Sequence, residues 1–365
     1  MNSIKPDKFY DTHIPYALIK GDTPFEIGFQ HGKAAKSQIS KSIEIYSKLY
    51  KDAKDVSWEE ATRRSSKFKP LLETKFPEIQ QELEGIASGS GRSFEDILTL
   101  NVRSEITLID ISDGCTSIGQ RSKENNDVYI GQNWDWIPEI DEITIFLEIH
   151  QLGKPKILIL AEAGIIGKYG FNSNGVAVML NAISSNEVDY NKLPVHFAIR
   201  KALEAESVDD LIKYADENGI ASAANFLVGD STKYLTLELT TRGVGKIYPS
   251  DEFATVSHTN HLLDEHYQKL FPAKVPILSS HSRFTRINEL NALKSNEIAN
   301  VSTFSERLAD LANAPRSILS LPVPGSTGLE RCITLYTIII NTTKVEGQVI
   351  IGPSKNRKLY KLFFS

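Results

Sequence analysis

The chain has 365 residues, 41% of them apolar and 24% charged, the proportions of a globular protein and not of a disordered, collagenous or coiled-coil one. A formal charge of −5 and a pI near 6.0 give no basic footprint for nucleic acid or an anionic membrane. Two cysteines, Cys115 and Cys332, cannot build a disulfide framework, and neither lies in a CxxC, which argues against structural zinc.

The first 22 residues lack the apolar core of a signal peptide. No run approaches the roughly 18 apolar residues of a membrane span, and Leu362 to Ser365 is not a peroxisomal tripeptide. The expectation is a cytoplasmic protein with neither membrane nor nucleic acid as partner. Along the chain, Thr23-Pro24-Phe25-Glu26 predicts a helix start, with a hydroxyl N-cap, proline at N1 and glutamate at N3. Phe76, Ile79, Leu83 and Ile86 recur at helical spacing, predicting a helix that ends near Gly89-Ser90-Gly91. Ser93-Phe94-Glu95-Asp96 predicts another start, and the charge-dense stretch 51–69 reads as a solvated helix face.

After residue 115 the texture turns to β-branched and apolar runs. Segments 128–134, 143–149, 156–160, 175–181, 226–229, 235–239, 334–341 and 348–352 read as strands. Helices are predicted at 195–204, 208–215 and near 303–312. Strands arrive in short-linked groups, so antiparallel sheets with packed helices, an α+β fold, fit better than βαβ alternation. No linker splits the chain, and one domain is expected.

Cys115 stands where the helical third meets the strand-rich part, in Ser112-Asp113-Gly114-Cys115-Thr116-Ser117. A lone cysteine is ordinarily a small core hydrophobe. Three neighbouring features point further. Gly114 leaves its carbonyl open to attack and tolerates a strained backbone, so the thiol could cleave its own upstream bond and make Cys115 a new N-terminus. The freed α-amine, with a reference pKa near 7.7–8.0, could then take the proton of a thiol whose own is about 8.5, supplying a base without a histidine. Finally, Gly131-Gln132-Asn133-Trp134-Asp135-Trp136 follows across an apparent hairpin whose turn is 123–127, which would return Asp135 to Cys115. Asp135 is otherwise an ordinary strand-end residue. His258 and His261 form an HxxH without an evident third metal ligand. Trp134 and Trp136 share one strand face and read as core packing. The glycines at 164, 167, 170 and 175 read as turns and not a phosphate cradle.

These segments resemble the isopenicillin N acyltransferase family, the C45 peptidases, within the N-terminal-nucleophile (Ntn) hydrolases. The resemblance runs through Glu82 to Ala87, Leu98 to Arg103, Asp113-Gly114-Cys115-Thr116, Gly131 to Asp135, Glu162 to Lys168, Gly170 to Val178 and His258-Thr259-Asn260-His261. It implies a four-layer αββα sandwich with a helical N-terminal segment. It also implies a precursor that cuts itself between Gly114 and Cys115, giving a small subunit 1–114 and a large subunit 115–365 that stay together as a heterodimer. The implied site is Cys115 as nucleophile, Asp135, and Asn260 as an oxyanion donor. More distant bile-acid hydrolases add Asn181 and Arg283. Those relatives carry arginine where this chain has Gln132, which points to the acyltransferase branch; 315–321, with Ser317, corresponds loosely to the family's serine segment. No cofactor or metal is implied. The expected partners are a small-molecule acyl donor, either an N-acyl amide or acyl-CoA, and an amine or water as acceptor. A simple amide hydrolase and an unprocessed cysteine protease remain the alternatives.

Overall fold

A computed structural model describes residues 12–107, 114–185, 187–271, 278–353 and 358–365. Its strands, in chain order, are β1 (Tyr16–Gly21), β2 (Gly114–Arg121), β3 (Val128–Trp136), β4 (Thr144–Gln151), β5 (Ile157–Glu162), β6 (Tyr169–Asn172) and β7 (Ala177–Ala182). They continue with β8 (Ala224–Gly229), β9 (Tyr234–Thr240), β10 (Gly243–Ile247), β11 (Thr255–His258), β12 (Ile333–Asn341), β13 (Glu346–Ile351) and β14 (Leu359–Leu362). Among the described residues they form an eight-stranded sheet, β1-β4-β5-β6-β7-β8-β9-β10, and a six-stranded sheet, β11-β2-β3-β12-β13-β14.

The two sheets face each other, β2 and β3 lying against β7 and β8. Helices pack outside both. Leu278–Leu293 covers β11 and β2, Val301–Arg307 covers β12, and Pro24–Ala34 lies on β1 and β4. The expected α+β sandwich is the observed one. Its main core is a single apolar cluster running from the N-terminal helices through the inter-sheet space. A second cluster, with Ile118, Tyr129, Ile287, Phe304 and Leu308, fills the gap between the smaller sheet and its helices.

The helix starts form as their caps dictate. Thr23 Oγ1 accepts the Glu26 N–H at 3.2 Å while Glu26 Oε2 accepts the Thr23 N–H at 3.1 Å. Ser93 and Asp96 make the same reciprocal pair. Helix Pro24–Ala34 packs unusually closely on Pro77–Ser90, because a Cβ at Gly28 would stand 1.9 Å from Glu82 O and one at Gly85 2.2 Å from Phe25 O. Only glycine permits that approach.

Three elements differ from expectation. The first third carries β1, six residues that pair parallel with β4 at the sheet's edge. That strand is too short for its alternation to stand out. Helix Leu278–Leu293 buries Ser280, Arg283 and Asn291 beside Ile287 and Leu290, so its inward face is half polar and its apolar period is diluted. The helix expected near 303–312 instead spans Val301–Arg307. Asn300 caps its start, and beyond it Asn133 Nδ2 takes the carbonyls of Leu308 at 2.7 Å and Ile318 at 2.8 Å, turning the chain back on β3.

The Glu162 to Lys168 segment is clasped by the N-terminal helices. His31 Nε2 accepts the Gly164 N–H at 3.1 Å, and Asn101 bonds Gly164 O and the Ile166 N–H at 2.7 and 2.9 Å. Burial lowers the His31 pKa to about 4, so folded His31 stays neutral while unfolded chains protonate from about 6.5 downward. Stability from this group is therefore present at neutral pH and lost as pH falls from 6.5 toward 4. Glu105 acts oppositely, since burial pushes its carboxyl up to about 7, and only a comparison at matched pH isolates His31. In urea melts between pH 7 and pH 4, the wild type should lose up to about 3 kcal/mol relative to His31→Gln, which keeps an acceptor for Gly164. A difference that stays constant across this range would remove His31 from the account.

Candidate active site

The hairpin β2–β3 sets the site's register. Gly114 lies opposite Asp135, Cys115 opposite Trp134, Thr116 opposite Asn133 and Ser117 opposite Gln132. Successive side chains alternate in direction. Cys115 and Ser117 face the larger sheet, while Thr116 and Ile118 face the covering helices. Ser117 Oγ accordingly reaches across to β7 and donates to Asn181 Oδ1 at 2.8 Å. Cys115 is wholly buried.

Asp135 stands against Gly114, where a Cβ would come 2.8 Å from Asp135 Oδ2. The glycine thus lets a carboxylate lie beside the Gly114–Cys115 bond. Thr334 Oγ1 on β12 donates to Asp135 Oδ1 at 2.6 Å, fixing the carboxylate's rotation.

Asn260 follows β11, which pairs with β2 through His258 and Ser117. Its Oδ1 accepts the Cys115 backbone N–H at 2.9 Å and Arg283 Nη2 at 2.8 Å. Its Nδ2 donates to Ala182 O at 3.0 Å. Both donors on one side settle which end of the amide is oxygen. One Nδ2 hydrogen is left without a partner among the described residues.

Arg283 completes the cluster from helix Leu278–Leu293. Its Nη1 donates to Cys115 O and, at 3.0 Å, to Thr116 Oγ1, and its Nε donates to Ser279 Oγ at 3.3 Å. Burial pulls the guanidinium's pKa down, while Asp135 and Cys115 push it up; it stays charged, as arginine does in proteins.

The structure therefore brings Gly114, Cys115, Asp135, Asn260 and Arg283 together. Asn181 lies one pleat further along. Its Oδ1 also accepts Asn225 Nδ2 at 3.0 Å, and its Nδ2 reaches His258 O at 3.5 Å. Gln132 Nε2 donates to Leu180 O at 2.5 Å across the inter-sheet space. Ser317 Oγ turns to its own loop, donating to Leu319 O at 2.7 Å. Trp134 and Trp136 are both buried, and Lys168 Nζ lies 4.4 Å from the Trp134 ring centroid. His258 Nε2 pairs with Glu238 at 2.7 Å and His261 Nδ1 with Ser280 Oγ at 2.7 Å. Among the described residues no group of three or more His, Cys, Asp or Glu is placed to hold a metal ion, and no helix is long and apolar enough to cross a membrane.

Sequence reasoning missed Thr116, Ser280, Glu238 and Thr334. Thr116, next to Cys115, was within reach of a strand-alternation argument. The others carry no local signal. A groove of about 370 Å³ beside helix Lys36–Lys54, lined in part by Ile45, Leu49, Ile137 and Leu329, contains none of the site residues.

A cysteine, an asparagine amide and an arginine thus converge on the start of a central strand in a two-sheet α+β sandwich. The chain belongs to the acyl-coenzyme A:6-aminopenicillanic acid acyl-transferase family, whose model matches residues 122–352. It is 33% identical over 337 residues, 92% of each chain, to the 40 kDa form of acyl-coenzyme A:6-aminopenicillanic-acid-acyltransferase of Emericella nidulans. It is 25% identical over 237 residues, 58% of this chain and 59% of the relative, to the beta-alanyl-dopamine/carcinine hydrolase of Drosophila melanogaster. A variant of conjugated bile acid hydrolase from Clostridium perfringens superposes with TM-score 0.49 at 14% identity, over 68% of this chain and 92% of that one.

The bond from Ser117 to Asn181 ties the two sheets directly. Asn181→Leu would strand the Asn225 amide and leave the Ser117 hydroxyl a long 3.5 Å reach to His258 O, and should lower unfolding free energy by about 2–4 kcal/mol. Adding Ser117→Ala should recover part of that loss, because one weakly bonded donor disappears. Fully additive losses in denaturant melts would show that the contact carries no energy.

Proposed function

We propose that this chain is a self-processing enzyme of the N-terminal-nucleophile type, which forms a thioester on Cys115 and passes the acyl group to an amine or to water. The observation that carries the reading is the bond from the Cys115 N–H to Asn260 Oδ1, on an amide that keeps one N–H without a partner among the described residues.

In processing, Cys115 Sγ attacks the Gly114 carbonyl carbon. The bond from that carbon to the Cys115 nitrogen breaks, and the nitrogen takes the thiol proton. Water then hydrolyses the resulting thioester, leaving a Gly114 carboxylate and a free Cys115 amine and thiol. Asp135, which lies against Gly114, would hold the new ammonium. The fragments 1–114 and 115–365 remain associated on this scheme. β1 from the first is an edge strand of the larger sheet, and Tyr46 donates to Glu162 at 2.6 Å within the interior.

In turnover, the Cys115 α-amine accepts the thiol proton while Sγ attacks the donor's acyl carbonyl. The spare N–H of Asn260 bonds the tetrahedral oxyanion, with Asn181 Nδ2 the further candidate donor. The leaving thiol or amine departs with the proton, and the acyl group stays on sulfur as a thioester. An incoming amine or water reverses these steps. Arg283 holds the Cys115 carbonyl and the Asn260 amide at fixed separation throughout. The family assignment and the Emericella relative favour acyl-CoA as donor and an amine as acceptor. The Drosophila relative is called a hydrolase and favours hydrolysis as the second reading. Comparing products with and without an acceptor amine separates the two.

The wild type, purified in active form, should contain a polypeptide beginning at Cys115, and Cys115→Ala should remain one chain by intact-mass measurement. Full activity in uncut wild-type protein would refute the scheme. Asp135→Asn should slow processing or turnover, measured by the time course of the two fragments and of acyl transfer.

A further inference from the structure

Glu238 lies on β9 in the larger sheet and is wholly buried. Its carboxylate is bonded from the end of β11 and the turn that follows it. Glu238 Oε1 accepts His258 Nε2 at 2.7 Å and the Leu263 N–H at 2.5 Å, and Oε2 accepts the Asp264 N–H at 2.9 Å. His258 Nδ1 meets Thr259 O at 2.8 Å. A single carboxylate thus closes the whole turn from 258 to 264, and Asn260 sits inside that turn.

We propose that Glu238 and His258 are a positioning pair that aims the Asn260 amide at Cys115; this rests on the functional reading above. A buried carboxylate is expensive unless its oxygens are well bonded, and apolar packing could join these two sheets at lower cost. The bonded carboxylate adds directional control. Its three contacts fix the turn's height above β2, while Ser280 Oγ accepts the Asn260 N–H at 2.8 Å and Ala182 O receives Nδ2. Only rotation about the Asn260 side chain remains, and Arg283 and Cys115 remove it. Displacing a catalytic donor by about 1 Å can cost on the order of 10²-fold in rate.

The test is a kinetic double-mutant cycle read by thiol release from octanoyl-coenzyme A. Glu238→Gln keeps the side chain's shape but offers an amide to N–H donors. It should lower kcat by about 10–100-fold and leave KM within about threefold. Asn260→Ala alone should lower kcat by about 10²–10³. In that background, Glu238→Gln should cost less than about twofold more, since the residue it positions is gone. A general structural role would multiply the two losses and overturn the proposal. If Glu238→Gln fails to fold, His258→Gln retains an N–H toward Glu238 and should stay within about threefold of wild type, whereas His258→Leu should match the loss expected of Glu238→Gln. Equal activity of the two His258 variants would overturn the proposal. A crystal structure of Glu238→Gln with Asn260 Oδ1 still bonded to the Cys115 nitrogen would also overturn it. Turnover by Cys115→Ala would instead sink the functional reading, whatever the coupling between Glu238 and Asn260.

Discussion

One oxygen atom, Oδ1 of Asn260, accepts both the backbone N–H of Cys115 and the guanidinium of Arg283, and the geometry of the site follows from that sharing. Two donors on one side of the amide force its Nδ2 to the other side, where Ala182 O takes one hydrogen and leaves one. Three distant pieces of chain are thereby held at one point: the head of β2, the turn after β11, and the helix that covers the smaller sheet. The larger sheet supplies Ala182 and Glu238 from across the core, so neither sheet alone would hold the amide in place. Hydrogen bonds to a charged group in a dry interior are stronger than their counterparts in water. Arg283 bonds the Cys115 carbonyl and the Asn260 oxygen together, which links the peptide plane after Cys115 to the amide facing the plane before it.

How much of this could be read beforehand depended on sequence separation. The hairpin from 115 to 135 was legible, because its turn lies between two runs of strand texture and pairing follows from the length of each arm. The register of Gly114 on Asp135 is a direct product of that hairpin. The capping boxes at Thr23 and Ser93 were legible for the same reason, being local chemistry within four residues. Asn260 and Arg283 came from resemblance, and residue type alone would not have singled them out. Glu238, Ser280 and Thr334 were invisible. Each meets its partner across a loop or a sheet, and nothing near Glu238 distinguishes it from a surface carboxylate on an alternating strand. β1 escaped because its six residues alternate too briefly, and the helix Leu278–Leu293 because it turns polar residues inward to serve the site.

Buried charge also joins the helical N-terminal part to the sandwich. Glu162, at the end of β5, receives Tyr46 and lies 3.1 Å from Arg103 and 3.2 Å from Lys168. Burial alone would push its carboxyl upward; the two cations outweigh it and hold the pKa at about 2. Such a cluster adds less stability than its Coulomb attraction suggests, because each ion has lost its water. Its value lies in arrangement. Lys168 stands over the ring of Trp134, and Trp134 is the cross-strand neighbour of Cys115. The contacts that hold the first hundred residues in place therefore end one side chain from the thiol. A fragment made by cutting before Cys115 would leave behind a stripped β4 edge and a buried Glu162 that has lost Tyr46 and Arg103 if it departed, and both costs favour retention.

The choice of an amide oxygen beside the Cys115 nitrogen has a consequence for the proposed cycle. In the uncut chain that nitrogen has one hydrogen and donates it. After cleavage it becomes an amine or ammonium, with two or three. Asn260 Oδ1 is an acceptor in either case, so the bond that orients the peptide before cleavage can also orient the amine after it. A donor at that position would not fit the uncut peptide and would compete for the amine lone pair that the cycle uses as its base. Asp135, which lies against Gly114, becomes more useful only once positive charge can form nearby, since a carboxylate gains little from a neutral peptide and much from an ammonium. The amide serves both states and the carboxylate chiefly the second. On this scheme, cleavage changes the charge in the site without requiring the residues around it to move.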